Sequence, residues 1–99
     1  MLQKSFTPKR TICKVTFTIP IEWAEKKVHL VGDFNEWDLK ADKLEKKKDT
    51  WEITMRLKPE TKYRFKYLID GEKWQNDNSA DDYVPNEFGT EDSVVEVGK

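Results

Sequence analysis

Three stretches of this chain alternate between apolar and polar residues with a period of two. From Thr11 to Ile19, Cys13, Val15, Phe17 and Ile19 share one face, and Lys14, Thr16 and Thr18 share the other. From Trp51 to Leu57, Trp51, Ile53, Met55 and Leu57 alternate with Glu52, Thr54 and Arg56. From Tyr63 to Ile69, Tyr63, Phe65, Tyr67 and Ile69 alternate with Arg64, Lys66 and Leu68. Side chains of a strand point to opposite faces in turn, so this period predicts half-buried β-strands; an amphipathic helix would repeat every 3.6 residues or so. Pro20 stops the first strand. Lys27–Val31 reads as a shorter strand, with Val28 and Leu30 on one side, His29 and Val31 on the other, and Gly32 closing it. Lys58–Lys62, with Pro59, reads as a hairpin loop joining the second and third alternating stretches. Asp70-Gly71 predicts a tight turn that returns the chain through Lys73 and Trp74 as a hairpin arm. Gln75–Gly89 is polar and turn-rich, and Ser93–Val97 is a last strand. The pattern predicts an all-β, immunoglobulin-like antiparallel β-sandwich of about six to eight strands. It is expected to span residues 11–99 as a single domain, with residues 1–10 as an N-terminal arm.

Charged residues make up 37% of the 99-residue chain, above the usual share of about 25%. Disorder does not follow, because aromatic residues make up 12% and include four tryptophans, and disordered segments are poor in aromatics. No apolar run approaches the roughly 18–20 residues of a membrane span. Net charge is −1, which lacks the basic footprint of a nucleic-acid binder. Lys40, Lys43, Lys46, Lys47 and Lys48 are interrupted by Asp42 and Glu45 and read as a solvated loop. Met1–Arg10 has no apolar stretch of a secretory signal. Cys13 is the lone cysteine, so no disulfide forms within the chain, and a cytoplasmic location is expected.

Catalytic constellations are hard to assemble from these residues. His29 is the one histidine, and no serine or cysteine sits in a nucleophile-elbow pattern. No Cys/His spacing suggests zinc. Asp77, Asn78, Asp81 and Asp82 supply oxygens but lack the loop pattern and glycine of a calcium hand. A sandwich this small has little surface for the carboxylate-flanked cleft of a glycoside hydrolase. The expectation is a binding module with no catalytic residue, metal or cofactor.

The tryptophans divide. Trp51 is in phase with Ile53, Met55 and Leu57 and belongs to the core. Trp23 follows Pro20 in a loop, where it can cap one end of the sandwich. Trp37 lies in the turn Gly32-Asp33-Phe34-Asn35-Glu36-Trp37, and Trp74 follows the Asp70-Gly71 turn in a polar neighbourhood. From the residues alone, two readings of Trp37 and Trp74 stand. They stack on a ligand such as the apolar face of a sugar ring, or they pack over the sheet edge.

The run Val28-His29-Leu30-Val31-Gly32-Asp33-Phe34-Asn35-Glu36-Trp37 resembles the opening motif of the family-48 carbohydrate-binding modules. These are isoamylase N-terminal-like domains, similar to the glycogen-binding domain of the AMP-activated kinase beta subunit. The likeness continues through Trp51-Glu52-Ile53, through Tyr63 to Trp74, and through Asp82 to Val95, covering about residues 12–97. It implies an early-set immunoglobulin-like sandwich that binds α-glucan (glycogen, starch or malto-oligosaccharides) without catalysis. The alternative is a packing or protein-interaction module that has lost the sugar site and rides with a glycogen-metabolising enzyme or a kinase complex. Carried over by motif, Trp37 and Trp74 are the stacking rings, and Lys66 is the hydrogen-bonding lysine. Phe88 falls where some members have a leucine that reaches into the glucan, and Thr90 offers a hydroxyl. Asp92 falls where the family has a sugar-binding Asn. An ionised Asp accepts hydrogen bonds but cannot donate them, so that contact is changed here.

Overall fold

The computed structural model describes residues 2–6, 9 and 11–97. Their backbone forms ten strands: β1 (Leu2–Phe6), β2 (Cys13–Pro20), β3 (Val28–Gly32), β4 (Asp42–Lys43), β5 (Glu45–Lys46), β6 (Thr50–Leu57), β7 (Thr61–Ile69), β8 (Lys73–Gln75), β9 (Asp82–Pro85) and β10 (Glu91–Val97). Two antiparallel sheets result, β1-β2-β6-β5 and β4-β3-β7-β10-β9, with β8 also paired to β7. The all-β sandwich expected from the alternation is the fold. Two of the strands are only two residues long, which is why the sequence pattern counts fewer.

The alternation becomes the core. Cys13, Val15, Phe17 and Ile19 of β2 are buried, opposite Leu57, Met55, Ile53 and Trp51 of β6 in register. The facing sheet contributes Val28, Leu30, Phe65, Tyr67, Ile69, Val95 and Val97. Phe17 meets Phe65 edge to face across the sandwich, with centroids 5.0 Å apart. Each such side chain contributes about 1.5–3 kcal/mol through burial. Trp51 is buried, and Trp23 packs against the core from a short 3-10 turn at Ile21–Trp23.

Two expectations are corrected. Lys58–Lys62 does not close a hairpin: β6 and β7 belong to different sheets, and the link crosses between them. Turn residues signal a reversal of direction, which an arch between sheets needs as much as a hairpin does. Placing the two strands in opposite sheets lets their apolar faces meet. Gln75–Gly89 is also not all turn, since Asp82–Pro85 forms β9 along β10. Within the expected N-terminal arm, Leu2–Phe6 pairs with β2 as an edge strand; residues 1, 7, 8 and 10 of that arm are outside the described residues.

A buried polar network closes the fold near β8 and β9. The Tyr67 hydroxyl donates to the Asp77 carboxylate at 2.7 Å, and the Asp77 N–H donates to Ser93 Oγ at 3.0 Å. Tyr83 donates its hydroxyl to the Asp77 carbonyl at 2.6 Å. Burial, and then the Asp77 charge, hold the Tyr67 phenol well above its ordinary pKa. It therefore stays a neutral donor. Of the acidic residues between 77 and 82, Asp77 is buried in this network and Asp81 pairs with Lys4 at 2.6 Å.

Candidate functional site

The outer face of the larger sheet is built on β7. Arg64, Lys66 and Leu68 point away from the core, and register aligns Lys66 with Val31 of β3 and Arg64 with Val94 of β10. Leu68 lies opposite Trp74 of β8. Val31, Leu68 and Val94 are buried although they face outward, so the sheet carries an apolar floor among longer side chains. The β7–β8 turn holds Trp74 beside that floor. Asp70 and Gly71 both have positive φ, 52° and 74°, a conformation that Asp tolerates and Gly adopts freely. The Asp70 carboxylate accepts backbone N–H bonds from Glu25, Lys26 and Lys27 at 3.1, 2.7 and 3.1 Å. Those bonds hold its pKa below the ordinary value.

The turn after β3 places Trp37. Gly32 sits where a Cβ would strike the Arg64 carbonyl and come within 2.8 Å of Phe65 Cβ, so glycine permits the close approach of β3 to β7. Phe34 packs edge to face on Phe17, with centroids 5.8 Å apart. Asn35 ties the turn back: its Oδ1 accepts from Gly32 N at 3.0 Å, and its Nδ2 donates to the Leu30 carbonyl at 2.9 Å and to Asp42 at 2.8 Å. Glu36 and Trp37 then take left-handed φ values of 55° and 58°. Asp33 clamps the result, accepting from the Trp37 indole Nε1 at 2.8 Å with one oxygen and from Arg64 N at 2.8 Å with the other. The indole N–H is thereby occupied, and the ring is fixed to the strand that carries Lys66.

The loop between β9 and β10 forms the third wall. Phe88, 82% exposed, stands at its tip. Asn86 organises the loop, accepting from the N–H groups of Phe88 and Thr90 at 2.9 and 3.1 Å. Lys66 Nζ reaches Thr90 Oγ1 at 3.3 Å. Asp92 is 7% exposed; it accepts from Asn86 Nδ2 at 3.0 Å and lies 4.0 Å from Arg64. Its carboxylate is therefore directed at the protein's own donors.

Together these walls enclose an open groove of about 880 Å³. Trp37, Lys66, Trp74, Phe88, Thr90 and Asp92, the six residues named from the sequence, all line it. Arg64, Pro85, Asn86 and Glu87 line it as well, and sequence reasoning did not single them out. A polar residue that caps two N–H groups just downstream leaves a legible trace, an Asn shortly before a glycine turn, and Asn86 before Gly89 carries it. Arg64 leaves none beyond its outward phase. Among the described residues no cluster of His, Cys, Asp and Glu is arranged to hold a metal ion.

A β-sandwich whose outer sheet face presents two indoles and an exposed phenyl ring, edged by hydrogen-bonding groups, has a surface compatible with carbohydrate recognition. Aromatic faces suit the C–H faces of sugar rings, and the rim meets hydroxyls. Residues 17–99 match the family described as the glycogen recognition site of AMP-activated protein kinase, and the chain belongs to that family. No functionally curated protein matches the chain.

Proposed function

We propose that this chain is a non-catalytic, cytoplasmic module that binds α-glucan, as glycogen, starch or malto-oligosaccharides, in the groove on its larger sheet. Trp37 and Trp74 stack on glucose rings, Phe88 adds apolar contact from the loop tip, and Lys66 and Thr90 hydrogen-bond sugar oxygens. Asp92 serves the groove as the anchor of the loop that carries Phe88 and Thr90. The observation that carries this reading is the convergence of residues far apart in sequence on one open groove in a glycogen-recognition fold.

The expected affinity is modest. Two stacking contacts at about 1–2 kcal/mol each and a few hydrogen bonds of net about 1 kcal/mol total roughly −5 to −7 kcal/mol. That corresponds to a Kd of about 10 µM to 0.2 mM for a short oligosaccharide. A polymer presents many copies of the epitope and multiplies such a site's retention. Little ordering is needed on binding, because Lys66 is held on a strand and Trp37 by its Asp33 clamp. Titration with maltoheptaose, followed by tryptophan fluorescence, is the test. A saturable change that Trp74→Ala removes supports the reading, and no binding at millimolar sugar sinks it.

A further inference from the structure

The loop that carries Thr90 has a hydrogen-bond pattern that fixes the direction of the Thr90 hydroxyl. Asn86 uses every hydrogen-bonding site of its side chain. Its Oδ1 accepts from Phe88 N and Thr90 N, which identifies that atom as the oxygen. Its Nδ2 therefore donates twice, to Thr90 Oγ1 at 2.8 Å and to Asp92 Oδ1 at 3.0 Å. Lys66 Nζ, which has protons and no lone pair to offer, donates to the same Thr90 Oγ1 at 3.3 Å. A hydroxyl has two acceptor lone pairs and one proton. Both Thr90 lone pairs are engaged by groups that can only donate. Its proton must point elsewhere, and among the described residues it meets no acceptor. Thr90 is exposed and lines the groove.

We infer that Thr90 is a specificity-determining hydrogen-bond donor to an acceptor oxygen of the bound glucan, and that Asn86 is the positioning residue that makes it one. This rests on the glucan reading of the groove. Asp92 completes the arrangement. An acceptor at that position takes the second proton of Asn86 and keeps the amide from rotating, since rotation would set its oxygen against the carboxylate. The donor that Asp92 cannot supply is supplied two residues earlier by Thr90, with Lys66 polarising the hydroxyl. Along this rim Lys66 and Thr90 both present protons, so the groove reads oxygen acceptors, including ring and glycosidic oxygens that carry no proton of their own.

The test exchanges the polarity of the pair without changing composition or charge. In the double variant Asn86→Asp/Asp92→Asn, residue 86 still accepts from Phe88 N and Thr90 N, and it accepts from position 92 where it formerly donated. The Thr90 hydroxyl then finds an acceptor inside the loop and turns its proton inward. The asparagine placed at position 92 can itself hydrogen-bond the sugar, so the readout is the cost of Thr90→Val in each background, with the thermal midpoint of the double variant little changed. In the unaltered chain Thr90→Val should lower maltoheptaose affinity about fivefold, the worth of one net hydrogen bond, and Thr90→Ser, which returns the hydroxyl, should recover most of it. Adding Thr90→Val to the double variant should cost little more, because the donor is already withdrawn. An equal cost of Thr90→Val in both backgrounds, or equal losses for Thr90→Ser and Thr90→Val, would overturn the assignment while leaving glucan binding intact. No binding by the unaltered chain overturns both.

Discussion

The two faces of β7 come from one nine-residue strand and obey different rules. On the inner face, Phe65 and Tyr67 are fully buried and meet edge to face at 5.7 Å. Neighbours from both sheets hold them. On the outer face, Arg64 is exposed and Lys66 is half-buried; their surroundings come from the turn after β3, the hairpin arm β8 and the β9–β10 loop. The inner face is specified mainly by shape and exclusion of water, with one directed bond, from the Tyr67 hydroxyl to Asp77. The outer face is specified by directed hydrogen bonds such as those of Asp33 and Asn86, which hold rings and donors open to solvent. Stability is thus concentrated on one side of the strand and the proposed recognition on the other.

That separation can be broken from the inside first. Phe65→Ala empties a site packed against Phe17, Phe34 and Tyr67 and is expected to cost about 3–5 kcal/mol. Chemical denaturation measures it; since a small domain holds about 5–15 kcal/mol in total, this variant should lie near unfolding. Gly32→Ala tests the seam between the faces. Its Cβ meets the Arg64 carbonyl and the Phe34 ring, so a loss of about 1–3 kcal/mol is expected from overpacking, with weaker glucan binding as Asp33 shifts. A stability unchanged by that methyl group would show that β3 and β7 are not held at this spacing.

Trp74→Ala sharpens the contrast from the outside. The ring is 45% exposed, and its removal should alter the unfolding free energy by less than about 1 kcal/mol. Oligosaccharide affinity should fall about 5- to 30-fold, the equivalent of one stacking contact. Equal damage to stability from Trp74→Ala and Phe65→Ala would collapse the distinction between the faces.

The smallest expected effect is a pH dependence at the far edge of the outer face. His29 lies opposite Leu68 and Lys43, and its Nδ1 is buried without a hydrogen-bond partner among the described residues. Burial first, and then Lys27, Lys43 and Lys40, lower its pKa from the ordinary 6.5. A histidine with a lowered folded pKa binds its proton more readily in the unfolded chain. Stability is therefore full above pH 6.5, declines as pH falls below it, and levels off under the folded pKa. Denaturation midpoints across that window should show the slope in the wild type and not in His29→Gln.

Much of the fold was legible because its signal is local. Period-two alternation names the buried face of β2, β6 and β7 residue by residue, and Asp70-Gly71 names its own turn. The sheet to which each strand belongs was not legible: a reversal between β6 and β7 looks the same in sequence whether it closes a hairpin or crosses the sandwich. The candidate site divides in the same way. Trp37, Lys66, Trp74, Phe88, Thr90 and Asp92 were named by motif and by outward phase. Asp33 and Asn86 were not named: Asn86 leaves only the local trace of an Asn before a glycine turn, and the bond from Arg64 N to Asp33 spans 31 positions and exists only in the folded chain.

The sequence by itself determined which side chains leave water, since alternation and the hydrophobic effect act along a single strand. Only the tertiary structure decided that the leftover aromatics share one groove and which way its hydrogen bonds point. Those properties belong to four segments brought together by sheet pairing. Asp33 reaches Arg64 across 31 positions and Lys66 reaches Thr90 across 24, and hydrogen-bond direction exists only once both partners are in place.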